Sequence, residues 1–175
     1  MTAVIATSQD ILDFWFAPET QALWYASNQD FDARIRDRFL DVYETARRSK
    51  LESWREDPQS MLALIIVLDQ FSRNMFRNDA RAFAADHLAR AVVMEGMAKG
   101  FDRELQGPKL DFFYMPLMHS ESMEDHNILV RLGRGDERYA REHREIIERF
   151  GRYPHRNAVL NRQNTAEEAK FLGLK

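Results

Sequence analysis

The chain of 175 residues contains no cysteine. That excludes disulfides, thiolate nucleophiles and cysteine-ligated metals, and it suits a reducing cytoplasm. Glycine and proline are sparse, at seven and five, against twelve Phe and three Trp. Long, well-packed elements with few irregular loops are therefore expected. A formal net charge of −3 and a pI near 6.0 leave no basic excess, so the electrostatic footprint of a nucleic-acid partner is missing. The longest apolar run, Met61 to Leu68, falls far short of the roughly 20 residues of a membrane span. Met1 to Thr7 is too short for a signal peptide and lacks a basic start. These absences predict a soluble cytoplasmic protein with no nucleic-acid or membrane partner.

Several chemical signatures are missing as well. There is no Gly-x-Ser-x-Gly elbow, no phosphate-binding Gly-Lys-Ser/Thr loop and no dinucleotide glycine pattern. His-Glu-x-x-His spacing does not occur, so neither a metal nor another cofactor is expected. Arg134-Gly135-Asp136 spells an adhesion tripeptide but reads as a turn between helices that ends in a cap.

What is present is helical patterning. Hydrophobic residues make up 45% and charged residues 30%, ordinary for one soluble domain of this length. Ser8 is read as the cap of a short helix ending near Phe16, and Asp30 as the cap of the next. In that next helix Phe31, Ile35, Phe39, Val42 and Ala46 recur at three- and four-residue steps. Asp57-Pro58 opens a central helix that runs through Leu68 to about Phe76. Ala80 to Lys99 reads as one long helix closed by Gly100, and Leu110 to Tyr114 as a short aromatic stretch before Pro116. A helix over Glu121 to Leu132 follows. Asp136 is the expected cap of another, with a stripe of Ala140, His143, Ile147 and Phe150, and His143 is read as packing. Thr165-Ala166-Glu167-Glu168 is a capping box for the last helix. No strand alternation competes, and no linker or convincing repeat divides the chain. The expectation is a single all-α domain, residues 1–175, of about seven to nine helices.

Longer motifs carry a resemblance. Leu12-Asp13-Phe14-Trp15-Phe16, Trp24-Tyr25, Phe31-Asp32, Trp54, Leu68-Asp69-Gln70-Phe71-Ser72-Arg73-Asn74-Met75-Phe76-Arg77, Met115-Pro116-Leu117-Met118-His119-Ser120-Glu121 and Phe150-Gly151-Arg152-Tyr153-Pro154-His155-Arg156-Asn157 are the motifs concerned. Together they resemble a bacterial family known as domain of unknown function 924, over about residues 11 to 172. Three positions depart from its pattern: Ser72 stands where proline is expected, Asn161 where glycine is, and Asn164 where serine is. The resemblance implies a tetratricopeptide-like helical superhelix with degenerate repeats. It implies no established activity.

Two Arg-Asn pairs in apolar surroundings, Arg73-Asn74 and Arg156-Asn157, point to a site, because such donors need partners when desolvated. The leading expectation is a binding module. In it Asp69, Arg73, Asn74 and Arg77, with His155, Arg156 and Asn157, line a polar recess for a small anion or a peptide carboxylate. Asp69 and Arg73 have the four-residue spacing of a helical ion pair. Glu121, Asp125 or Glu167 could equally serve as internal partners of Arg156. An alternative is a cofactor-free hydrolase or lyase, with His119 or His155 as acid–base group oriented by Glu121 or Asp69. A further alternative is a structural or protein-interaction domain, in which Trp24 or Tyr25 would mark the interface.

Overall fold

A computed structural model describes residues 5–135 and 137–174, and every regular element among them is helical. The chain divides into two compact units, Met1–Arg77 with Arg81–Pro116, and Asn78–Ala80 with Leu117–Lys175. Among the described residues no helix is long and apolar enough to cross a membrane.

The first unit begins with α1, Ser8–Trp15, and the short α2, Pro18–Gln21. The cap of α1 is Thr7 rather than Ser8. Its hydroxyl accepts from the Asp10 amide at 3.2 Å while the Asp10 carboxylate accepts from the Thr7 amide at 2.8 Å, a reciprocal box that Ser8 has no acid to form. Likewise α3, Gln29–Ala46, is capped by Asn28 rather than Asp30, through the Phe31 amide at 2.9 Å. The expected stripe of Phe31, Ile35, Phe39, Val42 and Ala46 is buried throughout.

Asp57 starts α4, Pro58–Ile66, by accepting from the amides of Gln59 and Ser60, each at 3.0 Å. The run Met61 to Leu68 is buried on every side. At Val67–Phe71 the helix widens into a π turn before it resumes as α5, Ser72–Met75. Loosened carbonyls in such a turn need other donors. Ser72 Oγ reaches those of Leu68 and Asp69 at 2.8 and 2.9 Å, and Arg73 Nη1 reaches that of Asp69 at 2.7 Å. Serine here, in place of the proline expected of the family, supplies one of those donors.

The single helix expected over Ala80 to Lys99 is broken. A 3-10 turn at Ala80–Phe83 precedes α6, Asp86–Lys99, which Gly100 closes at φ 76°. Tertiary contacts override the alanine-rich propensity there: Arg81 lies over the Phe76 ring and Asp86 is drawn to Arg73. The aromatic stretch Leu110 to Tyr114 is the middle of a full helix, α7, Pro108–Met118, which runs on past Pro116. Around α4 the rings of Phe14, Trp15, Phe31, Phe39, Phe71 and Phe112 form one aromatic core, with Phe39 and Phe71 stacked at 5.0 Å.

The second unit holds α8, Met123–Arg131, α9, Arg138–Phe150, and α10, Ala166–Phe171. Asp136, the expected cap of α9, lies outside the described residues. Gly151 closes α9 at φ 67°, and Thr165 and Glu168 form the expected capping box.

Candidate functional site

The first Arg-Asn pair sits where the π turn ends. Asp69 is 1% exposed, and its Oδ1 lies 3.1 Å from Arg73 Nη1. Arg73 also forks onto Asp86, at 2.9 and 3.0 Å. Asn74 and Arg77 converge on one carboxylate of α3. Asp32 accepts from Asn74 Nδ2 at 2.7 Å and from Arg77 Nε and Nη2 at 2.6 and 2.9 Å. Asp32 and Asp86 are thus the partners that sequence reasoning missed. Nothing in one-dimensional spacing links them to Arg77 or Arg73, which lie 45 and 13 positions away.

The second pair belongs to the other unit, where it is organised around Tyr153. Gly151 ends α9 and Pro154 starts a 3-10 turn, Pro154–Arg156, so three consecutive side chains are held at a rigid corner. Tyr153 is fully buried; its hydroxyl donates to the Met118 carbonyl at 2.5 Å and lies 3.4 Å from His126 Nε2. Its ring meets His143 at 5.6 Å and His155 at 5.5 Å, and the Arg156 guanidinium carbon lies over it at 4.4 Å. His119 faces His143 at 6.3 Å, and its carbonyl accepts from Arg156 Nη2 at 2.9 Å. Four of the five histidines thereby gather about one tyrosine and one arginine. His143, expected only to pack, is a member of this cluster.

Glu121, Glu167 and Glu168 each engage an arginine. Glu121 accepts from the Tyr153 amide at 2.7 Å and from both Nη atoms of Arg162, at 2.7 and 2.9 Å. Desolvation raises its pKa, but Arg162, the Tyr153 amide and the charge of Arg156 outweigh that and leave it lowered. Glu167 pairs with Arg149, and Asp125 is fully buried on α8. Glu168 takes a fork from Arg152 at 2.6 and 2.8 Å together with the Thr165 amide, which holds it down to about 2. Asn157 Nδ2 donates to Asn164 Oδ1 at 2.7 Å, so the asparagine that replaces the family's serine fastens this loop. Asn161, in place of glycine, adopts φ 53°, a left-handed conformation that asparagine tolerates better than most side chains.

Three imidazoles are pushed toward their neutral forms. Burial lowers His126 first and foremost, and it lowers His143, with Arg156 adding to the effect. His155 falls to about 4 through desolvation by its neighbours, then through Arg156, His143 and Arg162 against an opposing Glu121. The residue as a whole is nevertheless exposed. His126 Nε2 lies 3.0 Å from the Ser120 carbonyl, which fixes the proton on that nitrogen; buried Nδ1 meets no hydrogen-bond partner among the described residues. The same holds for Asn157 Oδ1 and Arg162 Nε. Tyr153, His126 and Arg162 were absent from the expected site. Tyr153 was legible in the motif before Pro154, whereas His126 and Arg162 carry no pattern of their own. Among the described residues no three His, Asp or Glu side chains come together so as to hold a metal ion.

Fold and site together define an all-helical protein that carries internal arginine–carboxylate networks and a histidine-rich polar cluster. The family model of the bacterial protein of unknown function DUF924 matches residues 11–174, and the chain belongs to that family. A solved structure of a protein of unknown function from Agrobacterium tumefaciens is similar, with a TM-score of 0.87 and 39% identity. The match covers 94% of this chain and 96% of that one. No curated protein matches the sequence.

Proposed function

We propose that the protein is a helical binding module whose second unit takes a small anion or a peptide carboxylate at the Arg156–Tyr153–imidazole cluster. One observation carries this reading. The Arg156 guanidinium, on a residue only 6% exposed, is stacked on Tyr153 beside His143 and His155, two imidazoles that burial lowers first and the charge of Arg156 lowers further. A field that disfavours a second cation favours an anion for the same Coulombic reason. The planar fork of Arg156 suits a carboxylate or phosphate, and exposed His155 adds a donor at the rim. The proposal is confined to the second unit. Asp69, Arg73, Asn74 and Arg77 bond to one another and to Gln70, Asp32 and Asp86, which suits a role in holding helices in register.

Thermal denaturation with inorganic phosphate, succinate, and a capped tripeptide bearing either a free or an amidated C-terminus tests this. A bound anion at a hundred times its dissociation constant adds about 2.7 kcal/mol, which raises Tm by roughly 5–10 °C in a chain of this size. Arg156→Lys, which keeps the charge and loses the fork, weakens the effect. His155→Ala, at an exposed side chain, weakens it without endangering the fold. No shift with any anion, or a shift undiminished from the parent's in both variants, overturns the reading. A second reading, a cofactor-free hydrolase or lyase, draws on the same exposed and neutral His155 as base beside Arg156. It requires turnover that His155→Ala abolishes while anion binding persists.

A further inference from the structure

A cleft of about 220 Å³ opens beside α1 in the first unit, lined by Gln9, Leu12, Asp13, Phe16, Ala17 and Lys109. Cavities for drug-sized ligands start at roughly 300 Å³, so an occupant here is a small molecule. Two opposite charges line this cleft. The Asp13 carboxylate accepts from Gln9 Nε2 at 2.6 Å. The Lys109 ammonium, from α7, donates to Gln59 Oε1 at 2.7 Å and lies 5.9 Å from the Phe16 ring. Each charge is therefore oriented by a neutral amide, and neither enters an ion pair among the described residues. An ammonium has three donors and a carboxylate about four acceptor sites, so both retain capacity for a ligand.

The rest of the lining is largely apolar, from Leu12, Phe16 and Ala17. Leu12 is buried, and Phe16 packs edge-on against Trp24 at 5.8 Å and Phe112 at 5.9 Å. Trp24 is itself tied to the Trp15 carbonyl at 2.9 Å. We propose that this cleft binds a small zwitterion of the α-amino-acid class. Lys109 receives its carboxylate, Asp13 its ammonium, and Leu12, Phe16 and Ala17 a short apolar side chain. A simple anion would meet the repulsion of Asp13, and a simple cation that of Lys109. Only a molecule carrying both charges answers both groups. The site is independent of the histidine cluster of the second unit.

The probe is L-leucine, titrated into the full chain while backbone amide resonances are followed by NMR. Saturable shifts confined to residues 9–17 and the surroundings of Lys109 are expected. Isocaproate and isoamylamine, which each lack one of the two charges, bind at least about tenfold more weakly, as do the variants Asp13→Asn and Lys109→Gln. Both substitutions lie outside the core, and the same spectra report whether the fold is kept. The proposal is overturned by the absence of saturable shifts up to about 20 mM L-leucine, by equal binding of either analogue, or by undiminished affinity in both variants.

Discussion

The guanidinium of Arg156 lies over the ring of Tyr153, 4.4 Å from its centroid, while its Nη2 donates to the His119 carbonyl. A flat cation on an aromatic face is bound both by the ring quadrupole and by dispersion, and lysine reproduces neither the plane nor the fork. Arg156→Lys is therefore expected to destabilise the protein by about 1–3 kcal/mol, measured by urea denaturation. A variant as stable as the parent would show that the stacking contributes nothing.

The histidines set a pH dependence of known sign. His126, His143 and His155 all have folded pKa values below the ordinary 6.5, His155 at about 4. The unfolded chain thus binds more protons between about pH 6.5 and 4, and stability rises with pH across that window. The contribution is complete above 6.5 and is lost as the pH falls through the folded values. Denaturant midpoints at pH 7 and pH 5 should differ in that direction, and NMR titration of the imidazole protons should assign the effect to these three rings.

Asp69 and Arg73 allow a double-mutant cycle. Removing Arg73 leaves a carboxylate at 1% exposure without its guanidinium, and losses of about 3–5 kcal/mol accompany such broken buried pairs. Asp69→Ala with Arg73→Ala together should cost less than the sum of the two single changes. Strict additivity in chemical denaturation would contradict the coupling.

Gly96 in α6 has no room for a methyl group. A Cβ there would lie 2.6 Å from Met61 Sδ and 2.7 Å from Phe113 Cζ. Alanine gains about 1 kcal/mol in helix propensity, but overpacking a dense core costs about 1–3 kcal/mol. Phe113 is fully buried and has little freedom to retreat. Gly96→Ala is expected to lower Tm, and an unchanged or raised Tm in calorimetry would show that Met61 simply swings aside.

Much of the helical frame was legible in advance because its signals are local. The buried stripe of α3, the Asp57-Pro58 start, the glycines after α6 and α9 and the Thr165–Glu168 box depend only on side chains a turn apart. Thr7 and Asn28 displaced Ser8 and Asp30 as caps, since several polar residues compete at each helix start and geometry selects one. The break before α6 was invisible because its cause, the pull of Arg73 on Asp86 and of the Phe76 ring on Arg81, comes from elsewhere in the chain.

The same division holds for the polar residues. Composition and spacing establish that Arg73, Asn74, Arg77 and Arg156 are donors set among apolar neighbours, and that such donors must be answered. Which group answers each one is a matter of three-dimensional placement. Asp32 meets Arg77 across 45 positions, and Tyr153 gathers His143 from the preceding helix with His155 and Arg156 from its own turn. Hydrogen bonds and desolvation act over a few ångströms of space, whereas the pattern of a chain records only neighbours along it, so the need for a partner is written locally and the partner's identity is not.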